Sequence, residues 1–132
     1  MKLDPISIAL IILGIAAFAT AGIIFLIKME KVKKYLTNAE EAIKQGDDKT
    51  AIVMIKGALN NANEKPDLEA SILTKLEALY KKNGLGYDFS DFNKLTGQFQ
   101  VLKKKSSNKA RRELYKVINL KKEMVKKMPE LP

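Results

Sequence analysis

The chain has 132 residues, with 24 Lys or Arg against 15 Asp or Glu, and it contains no cysteine and no histidine. The missing cysteines exclude disulfides and thiolate metal sites, and the missing histidines remove the commonest metal ligand and the commonest general base near neutral pH. Zinc centres and His-dependent catalytic triads are therefore ruled out, and the length leaves room for one compact domain at most.

Residues 1–4 form a short tail, and residues 5–27, PISIALIILGIAAFATAGIIFLI, hold 23 positions without a charge. As a helix this segment spans roughly 34 Å, enough to cross a hydrocarbon core of about 30 Å with some tilt. Ala19-Thr20-Ala21 has the small-x-small form of a signal-peptide cleavage site. The charge-poor start, the long apolar run and the greasy residues that cleavage would leave at 22–27 favour an uncleaved single-pass anchor. Lys28, Lys31, Lys33 and Lys34 follow the span, whereas Lys2 precedes it with Asp4 beside it. The positive-inside rule then predicts an N-terminus outside and a C-terminal portion in the cytoplasm. Gly14, Ala17 and Ala21 share one face of the span, where a second transmembrane helix can approach closely, either as a homodimer seam or as part of a larger membrane protein. Small residues are also common in such helices without serving as an interface.

Beyond the anchor, apolar residues recur at spacings of three and four and no strand-like alternation persists, so the predicted fold class is all-α, with about five helices. The first runs on from the anchor through MEKVKKYLTNAEEAIKQ, with Val32, Tyr35, Leu36, Ala39, Ala42 and Ile43 as its apolar stripe and Gly46 as its stop. Asp47 or Asp48 is placed to cap a second helix, which turns Ala51, Ile52, Ile55, Ala58, Leu59 and Ala62 inward and ends in NNANEKP. Pro66-Asp67 opens a third helix with Ile72, Leu73, Leu76, Leu79 and Tyr80 facing in, and Asn83-Gly84 closes it. A fourth, capped by Asp88 or Ser90, presents Phe89, Phe92, Leu95, Phe99 and Leu102. After KKKSSN at 103–108, a fifth helix from about Lys109 to Met128 carries Ala110, Leu114, Val117, Ile118, Met124, Val125 and Met128 on one face, and Pro129 ends it.

The stretch KQGDDKTAIVMIKGAL resembles the central part of a tetratricopeptide repeat, a motif of 34 residues built from two antiparallel helices. In that resemblance Ala51 and Ala58 take the two small positions of the second helix, Ile55 the large apolar position between them, Tyr35 the place usually held by tryptophan, and Ala39 the glycine or alanine position. Asn38 and Ala42 stand where leucine and tyrosine are usual, and the closing proline arrives late, at Pro66. The likeness covers about residues 32–66, with a weaker second unit from Asp67 that shares Leu76, Tyr80 and Gly84. It implies a helical-hairpin domain over residues 28–102 that binds other proteins through a groove, with the last helix filling or capping that groove.

Charge is unevenly distributed. Residues 28–102 carry 12 basic and 11 acidic groups, a net of +1, whereas residues 103–132 carry 11 basic and 3 acidic, a net of +8. The cations are Lys103, Lys104, Lys105, Lys109, Arg111, Arg112, Lys116, Lys121, Lys122, Lys126 and Lys127. A basic amphipathic helix near a cytoplasmic leaflet suits anionic lipid headgroups, and phosphate-rich RNA, including a ribosome, is the other target such a surface attracts. Tyr115 is the segment's only aromatic residue, which weakens the case for nucleic acid, since base stacking needs more. Packing of the apolar face on the bundle, with the lysines conferring solubility, is the remaining reading.

Signals for chemistry are weak. Glu40/Glu41, Asp47/Asp48 and Asp88/Asp91 suit solvated faces or helix caps. Gly84-Leu85-Gly86 is a fragment of a phosphate loop without its strand or its lysine, and NGLGYDFSDFNK lacks the spaced oxygen ligands of a calcium loop. The expectation is a non-enzymatic, membrane-anchored adaptor or assembly subunit without a cofactor. Its partner would be a membrane-embedded or membrane-proximal protein, and electrostatic binding of lipid or RNA by the basic C-terminus is the alternative.

Overall fold

In the computed structural model, residues 27–132 are described. The segment predicted as an anchor lies outside them up to residue 26, with Gly14, Ala17 and Ala21. The described residues form five α-helices: α1 (residues 27–44), α2 (Asp48–Asn61), α3 (Pro66–Lys82), α4 (Ser90–Lys103) and α5 (Asn108–Lys127). No helix among them is long and apolar enough to cross a membrane.

Local chemistry sets the boundaries. Gly46 adopts a left-handed φ of 75° after α1, a conformation that costs glycine nothing, and the Asp47 carboxylate then accepts from the Thr50 amide at 3.1 Å to cap α2. Gly84, at φ 69°, closes α3 in the same way. Ser107 caps α5 by accepting from the Ala110 amide at 3.1 Å. At α4 the Asp88 carboxylate accepts from both the Ser90 amide and the Ser90 hydroxyl. These hydrogen bonds hold three carboxyls below their ordinary value: Asp47 through Thr50, Asp48 chiefly through the Asn83 side chain, and Asp88 through Ser90. A depressed folded-state value contributes stability that is present above the unfolded value of 3.8 and is lost as pH falls through the folded one. Melting temperature is therefore expected to drop below about pH 4, with a shallower drop in an Asp48→Asn variant, measurable by thermal melts across an acid series.

The main core lies between α1, α2 and α3 and is closed by the end of α5. Val32, Ala39, Ala51, Ile52, Ile55, Ala58, Leu59, Ile72, Leu76 and Tyr80 are buried there together with Phe92, Val125 and Met128. Of the residues placed by the tetratricopeptide resemblance, Ala39, Ala51, Ile55 and Ala58 are fully buried, and small side chains at three of those positions let the helices approach closely. Tyr35 is half-buried and lies flat on α2: a Cβ built at Gly57 would come within 2.7 Å of its ring. A smaller cluster, Phe99, Val117 and Ile118 with Leu95, Leu102 and Leu114 around it, joins α4 to α5. Among the helices that follow α1, α4 packs chiefly on α5, and α3 packs on α2. The second helical pair is thus α4 with α5, while the intervening GLGYDF segment folds back on the end of α3, with the Tyr87 and Phe89 rings 6.3 and 6.0 Å from that of Tyr80.

Lys121 does not belong to the basic surface: it is 1 % exposed, three residues after Ile118 and four before Val125 on the buried face of α5. Its ammonium donates to both Glu69 carboxylate oxygens, at 2.7 and 2.6 Å, and Glu69 of α3 is itself 1 % exposed. The Thr96 hydroxyl of α4 donates to Glu69 Oε1 at 2.8 Å, and the Lys121 Nζ lies 5.0 and 5.4 Å from the ring centroids of Phe92 and Phe99. Three helices thus meet at one buried ion pair. Burial pushes the Lys121 ammonium below its ordinary value, and the Glu69 hydrogen bond and charge oppose that shift.

A second lysine works in the same manner at the end of α5. Lys56, buried on α2, donates to the carbonyls of Lys126 at 3.2 Å and Met128 at 2.9 Å and to Glu130 Oε1 at 2.8 Å. These bonds satisfy carbonyls that a helix C-terminus leaves without intrahelical partners. The Tyr80 hydroxyl, held above its ordinary value by burial, donates to the Pro129 carbonyl at 2.6 Å. A Lys56→Met substitution is expected to cost about 1–3 kcal/mol and to free the segment after α5. Limited proteolysis after residue 127 would reveal that release.

Candidate functional site

Two surface features stand apart from this packing. The first is a groove between α1 and α3 of about 320 Å³. Leu36 and Ile43 line it from α1 and Ala78 and Leu79 from α3, while the buried Ala39 and Ile55 form its floor. Ile43, expected in the core from its place in the α1 stripe, is instead 40 % exposed beside this groove. Across the rim, Lys75 and Glu40 approach to 3.9 Å, a solvated pair that contributes little to stability but, with Lys82, frames a mostly apolar slot. Two resemblance positions, Ala39 and Ile55, thus serve the core and the groove at once. A broader hollow of about 680 Å³ lies on the outer side of α4 and α5, beside Val101 and Val117.

The second feature is the end of the bundle at which α1 begins. Lys28 on the first turn of α1 lies 3.8 Å from Glu64, just beyond α2, and Lys103 at the end of α4 reaches the Glu64 carbonyl at 3.5 Å. The last turn of α4 therefore sits beside the start of α1, and the turn that follows leads from there into α5. Lys103, Lys104, Lys105, Lys109, Arg111 and Arg112 are all exposed there.

The remaining basic residues are distributed differently. Lys116 and Lys126 each stand 3.5 Å from a glutamate three residues earlier, Glu113 and Glu123. Lys122 and Lys127 are exposed further along α5. The apolar side of α5 packs on α4 and α2, so what the helix offers to solvent is polar and charged apart from Tyr115 and Leu120. Glu69, Lys56, Lys121 and Gly57 are the residues whose structural roles sequence reasoning missed. Three of them left a signal, since Glu69 falls three before Ile72, Lys56 between Ile52 and Leu59, and Lys121 between Ile118 and Val125. Each is a charge set in an apolar stripe, where it needs a partner.

No group of three or more acidic side chains among the described residues is arranged to hold a metal ion. Comparison of the chain with protein-family models, with curated proteins and with solved structures yields no match.

Proposed function

We propose that this protein is a single-pass membrane adaptor or assembly subunit whose helical domain, tetratricopeptide-like in its first hairpin, binds an apolar segment of a membrane-embedded or membrane-proximal protein. The observation that carries this reading is the α1–α3 groove, an apolar slot with the large side chain Ile43 left open to solvent beside it. The tetratricopeptide resemblance supports this reading, since repeats of that kind present a concave face or groove to other proteins. The uncharged run at residues 5–27 supplies the anchor, and the lysines after it favour a cytoplasmic domain.

The test uses the full chain purified in mild detergent after crosslinking in its own membranes. Ile43→Arg places a charge at the groove without touching the core, so the unfolding free energy should hold within the roughly 0.5 kcal/mol typical of surface changes. A protein that travels with the wild type is expected to be lost from the variant. Retention of that partner by Ile43→Arg, or copurification of nothing but the chain itself, would rule the groove out as the docking site.

A further inference from the structure

We infer that the anchor end of the bundle is a seat for anionic phospholipid headgroups, formed by the turn at 103–108 and the first turn of α5. The inference rests on the membrane-anchor part of the proposed function and is independent of the groove. The span implied by the sequence ends at residue 27, so a bilayer surface would lie beside Lys28, and the Lys28–Glu64 and Lys103–Glu64 contacts bring the basic turn to that same level.

The charge at this end is not locally balanced. None of Lys104, Lys105, Lys109, Arg111 and Arg112 has a carboxylate partner among the described residues, and all five are exposed. At the opposite end the turns carry Asp47, Asp48, Asp88 and Asp91 against Lys44, Lys49, Lys81 and Lys82, with Lys82 paired to Asp48 at 3.1 Å, and the end of α5 adds Lys122, Lys126 and Lys127 with Glu123 and Glu130. Cations without partners are thus concentrated where a cytoplasmic leaflet would hold its negative charge.

The mode of contact also follows from the packing. A helix that lies in a membrane interface needs a free apolar face, and α5 has buried Ala110, Val117, Ile118 and Val125 in the bundle. What remains is an end-on contact through lysine and arginine heads, without insertion. It is electrostatic, so it weakens with salt, and it fixes which way the α1–α3 groove points relative to the bilayer.

The chain has no cysteine, so a single Ser106→Cys substitution accepts one environment-sensitive fluorophore in the middle of the turn while Ser107 keeps its cap. Gln45→Cys serves as the label at the far end. The full-length protein is placed in nanodiscs of phosphatidylcholine alone and of equal parts phosphatidylcholine and phosphatidylserine. The expected result is a blue shift of the Ser106 label in the anionic discs only. It should be reversed by high salt and lost when Lys104, Lys105, Arg111 and Arg112 are replaced by Glu, while the Gln45 label stays unchanged throughout. Equal emission in both discs would overturn the inference, as would a shift that appears only when RNA is added to neutral discs. Release of the wild-type protein from membranes by alkaline carbonate would overturn the anchor itself, an outcome separate from an anchored protein whose label ignores lipid charge.

Discussion

Replacing Lys121 with methionine is expected to lower the unfolding free energy by about 3–5 kcal/mol, because it leaves the Glu69 carboxylate buried without its cation. Glu69 and Lys121 are each 1 % exposed, so water cannot take the place of the missing partner without opening the bundle. The Thr96 hydroxyl, at 2.8 Å, supplies a single neutral hydrogen bond and cannot replace the ammonium's two contacts. The double substitution Glu69→Leu with Lys121→Met removes both charges and should recover most of the loss, since an apolar pair of similar volume often matches or exceeds a buried ion pair. Urea unfolding of the four proteins of this cycle measures the coupling. A single substitution costing under 1 kcal/mol would mean that the pair is hydrated in solution.

The second large effect is expected at Phe92. Its ring is fully buried, it joins α4 to the main core, and it faces the Lys121 ammonium at 5.0 Å. Phe92→Ala should cost about 3–5 kcal/mol through lost transfer energy and the cavity left behind. Phe92→Leu, which keeps most of the volume, should cost clearly less. Because Phe92 and Lys121 touch the same site, combining Phe92→Ala with Lys121→Met should be markedly non-additive. Denaturant midpoints with unchanged m-values would show that stability alone has moved.

Much of the helical layout is legible from spacing alone. Gly46 and Gly84 stop helices where their positive φ makes termination easy, and the alanines at 39, 51 and 58 mark the close approach of α1 to α2. What spacing could not convey was pairing at a distance. Glu69 and Lys121 are 52 residues apart, and Lys56 meets Met128 across 72. A charge within an apolar stripe announces that it needs a partner, but one sequence does not say which. The basic C-terminal segment shows the same division. Its excess of cations was plain from counting, whereas the return of its first half to the anchor end depends on the antiparallel course of α4, set by tertiary contacts such as Lys103 with Glu64. Lys121 was misplaced for a related reason: its residue type suggested surface, and its position on the helix, between Ile118 and Val125, determined burial.

The docking proposed for the α1–α3 groove predicts contact between Ile43 and a segment of another protein. Site-specific photocrosslinking in the full chain, within its own membranes, tests it most directly. A photoreactive residue at Ile43, beside the groove, should give one discrete adduct with a membrane protein, and the same residue at Val53, exposed on α2, should give none. No adduct from Ile43, or equal adducts from both positions, would contradict the account.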